Sequence, residues 1–194
     1  MAGLLIAFEG LDQSGKETQA LHLRDHLRQR GRKVRVASFP DYGTSIGEEI
    51  ARALQGERDY TPEVMQLLYV ANRFERRADL ERWFAGGLIV LCDRYLASSI
   101  AYGEGQDLDP VWLTDMQRFL PQPDFTVLLD ISAETAARRK VSDRDRYERD
   151  LPLLGRVRDS YLQLAAEERW VTIDGQRSEA EVTEAVITAV SARL

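Results

Sequence analysis

The stretch from Leu4 to Arg30 constrains this chain more than any other. An apolar run, Leu4–Glu9, leads into Gly10-Leu11-Asp12-Gln13-Ser14-Gly15-Lys16-Glu17-Thr18. The residues after Lys16 carry apolar side chains at Ala20, Leu21, Leu23 and Leu27, a helical spacing that predicts a helix over Lys16–Arg30, with Gly31 as its stop. Gly-x-x-x-x-Gly-Lys between a strand and a helix is a phosphate-binding arrangement. The glycines let backbone N–H groups turn inward around a polyphosphate. The helix N-terminus adds a partial positive charge there, and Lys16 adds a full one. The next residue in such loops is a Ser or Thr whose hydroxyl binds magnesium. Here it is Glu17, with Thr18 one step later. Either magnesium is reached through Glu17 or water, or Thr18 takes the role.

Four more apolar runs follow: Lys33–Phe39, Leu88–Cys92, Phe125–Ile131 and Trp170–Ile173. Each is short, rich in Val, Ile, Leu or Phe, and bounded by Gly, Pro or Asp, as suits strands buried on both faces of a parallel sheet. Helical patterns lie between them: one long segment from a Thr61 cap to about Phe84, then Ala133–Lys140 after a Ser132 cap, Leu154–Glu168 and Ser178–Leu194. Strand and helix alternate about five times, which predicts a doubly wound α/β domain with a parallel five-stranded sheet. Ligands of such sheets sit beyond the carboxyl ends of the strands. At 194 residues the expectation is one domain, 1–194.

Composition narrows the class. There are 26 Lys and Arg against 32 Asp and Glu, a net charge of −6. That balance argues against a nucleic-acid coat or an anionic-membrane binder, both of which need a basic excess. The single cysteine, Cys92, forbids an internal disulfide and a Cys-rich zinc site. The N-terminal apolar run is too short for a transmembrane span of about 20 residues and lacks a basic flank for export. The expected location is the cytoplasm.

The loops after the other strands carry the remaining chemistry. Asp93-Arg94-Tyr95, Ser98, Ser99 and Tyr102 follow the third run. An Asp there can order the water of a magnesium ion, and the planar fork of Arg94 suits a second phosphate. Tyr69 lies one helical turn before Asn72-Arg73, an aromatic shelf beside a donor. Phe39-Pro40-Asp41-Tyr42-Gly43-Thr44 follows the second run. Residues 138–149 are densely charged; a run of that kind is a solvated surface unless phosphate sites surround it.

The motifs FEGLDQSGK, FPDYGTSIG, ANRFE, DRYLASSIAY, PDFTVLLD and DRYE, in that order and spacing, resemble the thymidylate kinases, nucleoside monophosphate kinases of the P-loop NTPase fold. The resemblance covers residues 4 to about 175. It implies transfer of the γ-phosphoryl group of Mg-ATP to dTMP, giving dTDP and ADP for dTTP synthesis, by a homodimer with a short mobile lid at about 138–150. It implies that Gly10, Leu11, Asp12, Gln13, Ser14, Gly15, Lys16, Glu17 and Thr18, with Arg139, hold ATP, and that Asp93, Glu17 and Thr18 serve Mg2+. Asp12 and Arg94 would meet the acceptor phosphate, with Ser98 and Ser99 nearby. Arg73 would reach the thymine edge and Tyr69 its face, while Phe39 and Pro40 wall the base. Tyr102 would crowd a 2′-hydroxyl, and Tyr147 and Glu148 would close over the deoxyribose. Three positions depart from the pattern: Gln13 where one branch has an Arg in the loop, Tyr42 where some members have an Arg, and Glu17. The transition state still needs a cation, so the lid is expected to supply it, through Arg144 or Arg146, or through Arg139. Two other readings stand beside this one: a kinase for another nucleotide or a deoxynucleoside, and a nucleotide-binding regulator with impaired catalysis.

Overall fold

A computed structural model describes residues 3–140, 145, 147–166 and 169–194. Five parallel strands, β1 (Leu4–Glu9), β2 (Val34–Ser38), β3 (Ile89–Asp93), β4 (Phe125–Asp130) and β5 (Trp170–Asp174), form one sheet in the order β2-β3-β1-β4-β5. Among the described residues nine helices connect and cover them: α1 (Lys16–Gln29), α2 (Ser45–Leu54), α3 (Pro62–Glu75), α4 (Arg77–Ala85), α5 (Leu96–Glu104), α6 (Pro110–Asp115), α7 (Ala133–Arg139), α8 (Leu151–Leu164) and α9 (Glu179–Ser191). The P-loop NTPase architecture is the one expected.

The strands read as unbroken apolar runs because both faces are covered. Along β1, Ile6 and Phe8 pack against Leu23 and Leu27 of α1 and Val182 and Val186 of α9. The alternate residues Leu5 and Ala7 face the other way, into a cluster with Val70, Leu80, Tyr95 and Leu96. Each fully buried Leu or Phe contributes about 2 kcal/mol by transfer from water. Cys92 lies in that second cluster at 0% exposure, inert core as its position suggests.

The predicted helix from Thr61 to Phe84 is two helices. Arg76 lies between them at φ −98°, ψ −1°. Its Nε donates to Asp41 at 2.6 Å and its Nη1 to Asp79 at 3.4 Å. With Arg76 pinned to the β2–α2 loop, the chain turns, and α4 lays Leu80 on the sheet. Thr61 makes no side-chain cap bond; Pro62 opens α3 by itself. Helix α8 starts at Leu151, three residues before the expected Leu154, because Asp150 caps it, accepting from the Leu153 N–H at 2.9 Å. Helices α2, α5 and α6 add to those expected. Thr44 and Asp109 cap α2 and α6, while the start of α5 is satisfied from another strand.

Candidate functional site

Two loops leave the carboxyl edge of the sheet side by side, because the β1–β3 register pairs Phe8 with Asp93. The first is the phosphate loop. Gly10 has φ +136°, and a Cβ there would run into the Leu129 carbonyl oxygen. Only glycine lets β1 turn away so close to β4. Gln13 and Gly15 also have positive φ, 65° and 93°, a backbone course that turns N–H groups toward a common anion. Lys16 folds back over the loop: its Nζ donates to the Leu11 carbonyl at 2.7 Å and to Ser14 Oγ at 3.5 Å. Burial, and then the neighbouring Arg94, push its pKa down to about 8, against the opposing pull of Asp12, Asp93 and Glu9.

The second loop begins at Asp93. Arg94 has φ 62°, a conformation that costs a non-glycine residue about 1–3 kcal/mol and persists where the surroundings over-determine it. They do here. The Arg94 N–H donates to the Phe8 carbonyl at 2.9 Å. Nη1 donates to the Gly10 carbonyl and to Ser98 Oγ, both at 3.2 Å. Nη2 donates to Asp12 Oδ1 at 2.6 Å, and the Tyr102 hydroxyl donates to the other Asp12 oxygen at 2.9 Å. The guanidinium lies 5.2 Å from the centre of the Tyr102 ring. Burial raises the pKa of Asp12, but Arg94 and Lys16 outweigh it and hold the carboxyl well below the usual range. Arg94 and the Gly10–Lys16 turn are thus on the same end of the sheet and in contact.

Beneath this pair lies Glu9, fully buried, whose role the sequence did not suggest. Its carboxylate accepts from the N–H groups of Tyr95 (2.8 Å) and Ser98 (3.3 Å), from the Ser98 hydroxyl (2.6 Å) and from the Tyr161 hydroxyl (3.0 Å). Two of these are orphan donors at the start of α5, where the helix end favours negative charge. The signal was present: a Glu closing an otherwise apolar strand needs partners if it is buried.

A cavity opens beside Arg94. Asp12, Arg94, Ser98, Ser99 and Tyr102 line it from the loops and α5. Phe39, Pro40 and Tyr42 line it from the β2–α2 loop; Asp145 and Tyr147 enter from the 138–150 stretch. Helix α3 presents Gln66, Tyr69 and Arg73, one face at i, i+3 and i+7. Arg73 is buried; its Nη1 donates to Ser99 Oγ at 2.8 Å and to Gln117 Oε1 at 3.3 Å, while its Nε has no partner. Burial lowers its pKa. Asn72 turns away from the cavity: Oδ1 accepts from the Asp41 N–H at 2.7 Å and Nδ2 donates to Thr44 Oγ1 at 2.8 Å, fixing the loop that carries Phe39 and Pro40.

Sequence neighbours Tyr147 and Glu148 diverge. The Tyr147 ring packs edge-on to Tyr102 at 5.9 Å. Glu148 faces the phosphate loop, accepting from Lys140 Nζ at 2.7 Å and Gln13 Nε2 at 3.4 Å. Arg139 donates to the Gln13 carbonyl at 3.0 Å and the Gly175 carbonyl at 2.7 Å, joining the phosphate loop to the β5–α9 turn. Arg144 and Arg146 lie outside the described residues.

Asp93 Oδ1 is buried and has no hydrogen-bond partner. A hard, unpaired carboxylate oxygen beside a phosphate loop fits magnesium, which takes one or two carboxylates and fills its octahedron with water and phosphate oxygens. Among the described residues no three His, Cys, Asp or Glu side chains group for a metal. Glu17 is exposed and Thr18 half-buried in the first turn of α1.

The family model described as "Thymidylate kinase" matches residues 8–186. The chain is 30% identical over 190 residues to a thymidylate kinase of Plasmodium falciparum (isolate 3D7), covering 97% of this chain and 90% of that one. It is 33% identical over 191 residues to a probable thymidylate kinase 1 of Saccharolobus solfataricus, covering 98% of both. The solved thymidylate kinase of Candida albicans superposes with a TM-score of 0.89 at 27% identity, over 99% of this chain and 92% of that one.

Proposed function

This chain belongs to the thymidylate kinase family, and we propose from that membership that it transfers the γ-phosphoryl group of Mg-ATP to dTMP, giving dTDP and ADP for dTTP synthesis. One observation carries the reading to these residues. The Arg94 guanidinium touches the phosphate loop at Gly10 and Asp12 while lining the adjoining cavity. A single cation thereby serves both a donor and an acceptor phosphate.

The acceptor is already a phosphate oxyanion, so no general base is needed; positioning and charge neutralisation carry the rate. Lys16 and the amides of Gly10 to Lys16 hold the donor phosphates. Arg94 trades part of its bonding to Asp12 for an acceptor phosphate oxygen. Magnesium, when bound near Asp93 with Glu17 or Thr18 at hand, supplies charge neutralisation on the donor phosphates. Arg139 steadies the loop through the Gln13 carbonyl. The transition-state cation is assigned to the 138–150 stretch, the lid of a single 1–194 domain, with Arg144 and Arg146 as its sources. Phe39, Pro40 and Tyr69 enclose the base beside Arg73, and Tyr102 leaves little room for a 2′-hydroxyl. Lid closure would exclude water and suppress ATP hydrolysis.

The proposal extends to a cytoplasmic homodimer. Val64 and Leu67 on α3 are exposed apolar side chains that a second copy would cover, which light scattering tests. No described helix is long and apolar enough to cross a membrane.

The deciding experiment is a panel of dTMP, dUMP, dCMP, UMP and thymidine with Mg-ATP, followed by nucleotide chromatography. dTMP is expected to give the highest kcat/KM. Preference for another nucleotide or for the free nucleoside overturns the assignment, and ATP binding without any diphosphate product favours the regulator.

A further inference from the structure

We propose that Gln66 reads the imide edge of the acceptor base, which makes the cavity selective for a 2,4-dioxopyrimidine. The inference rests on the kinase reading above and deepens it. Gln66 is 0% exposed, and neither Oε1 nor Nε2 has a hydrogen-bond partner. A buried amide with neither atom paired is destabilising, so its place needs a reason. Its residue lines the cavity on the face of α3 that also carries Tyr69 and Arg73. The Arg73 Nε, unpartnered as well, is the second orphan of that face.

The two orphans are chemically complementary to one ring edge. A 2,4-dioxopyrimidine presents a carbonyl, an N3–H and a second carbonyl in a row. A primary amide offers an acceptor and a donor together, so Gln66 Oε1 accepts N3–H while Nε2 donates to one flanking carbonyl. The guanidinium of Arg73 has donors only and takes the other carbonyl. A 4-amino-2-oxopyrimidine replaces that carbonyl with an amino group, and donor would then face donor. Tyr69, between the two on the helix, offers the ring face a stacking surface.

The test compares dTMP with its N3-methyl analogue in the wild-type enzyme and in Gln66→Met, which keeps the side-chain volume and removes both amide atoms. In the wild type, N3-methylation is expected to raise KM at least 20-fold. In Gln66→Met the KM for dTMP itself should rise about 10–100-fold with kcat within threefold, the size expected when a buried substrate group loses its partner. The methyl penalty should shrink to less than threefold in that variant. The ligand-free melting temperature should hold or rise, because two unpaired polar atoms have been removed. Unchanged KM in Gln66→Met, a methyl penalty that survives the substitution, or a fall in melting temperature with KM intact each overturns the inference and makes Gln66 a core residue. The wild-type comparison needs no variant: equal KM values for dTMP and the N3-methyl analogue also overturn it. A wild-type enzyme that phosphorylates no monophosphate overturns the kinase reading itself, whereas dTMP turnover with a silent Gln66→Met overturns this inference alone.

Discussion

Arg94 Nη2 donates to Asp12 Oδ1 at 2.6 Å, so the cation assigned to the acceptor phosphate is already paired with the carboxylate of the phosphate loop. The pair is poorly exposed, 13% for the Arg94 side chain and 31% for Asp12, and Tyr102 bonds the same carboxylate. On the proposed reading, the acceptor phosphate would enter a site whose charges hold one another in position before it arrives.

Replacing Arg94 removes that cation and leaves Asp12 facing the acceptor phosphate. Arg94→Ala should lower kcat by about 10²–10⁴, the range for losing a positioned charge in a phosphoryl-transfer site, with native circular dichroism. A coupled ADP-release assay measures it. A kcat within tenfold of wild type would take Arg94 out of the site.

Lys16 gives a pH dependence with a definite sign. Its folded-state pKa is pushed down to about 8 from the usual 10.5 of a lysine, so between about pH 8 and 10.5 the unfolded chain holds more protons than the folded one. Stability conferred through this group therefore rises with pH across that window. Binding runs the other way, since a bound polyphosphate favours the charged amine. ATP binding at pH 8.5 should take up a proton, and affinity should weaken as pH climbs past 8. Titration calorimetry in buffers of different ionisation enthalpy reads the uptake; Lys16→Met should abolish it.

Glu9 is buried beneath four donors, and its loss should be felt in the fold before the chemistry. In Glu9→Gln an amide N–H faces donors, and the charge that favours the start of α5 is gone. The expected cost is about 3 kcal/mol, read as a lower urea midpoint with unchanged slope. The folded variant should keep measurable turnover. Unaltered stability would mean that the Tyr95 and Ser98 N–H groups have found another acceptor.

The phosphate loop was legible because everything that makes it is local. Gly10, Gly15 and Lys16 are placed by a strand and a helix that the same few residues begin and end. The β3 loop was legible for the same reason: Asp93 and Arg94 announce themselves where an apolar run stops. The break at Arg76 was not, because nothing within the helix pattern ends it; a carboxylate 35 residues earlier, Asp41, pins the side chain. Asn72 looked like a companion of Arg73 and proved to be the anchor of the loop carrying Phe39, since adjacent residues on a helix point some 100° apart.

What the sequence alone determined is the alternation of five strands with helices, the glycine-lysine turn after the first strand and the identity of the charged groups that follow each strand. Backbone propensity, apolar periodicity and glycine's freedom at positive φ act over a few residues, so a reader of the sequence can follow them. Which side chains meet was decided only when the sheet closed. Glu9 found Tyr161 across 152 residues, Glu148 turned to Gln13 across 135, and Gln66 was left unpaired beside Arg73. Packing settles such matches, because a buried polar atom must take whatever partner the fold brings within reach, and no local pattern records which one that is.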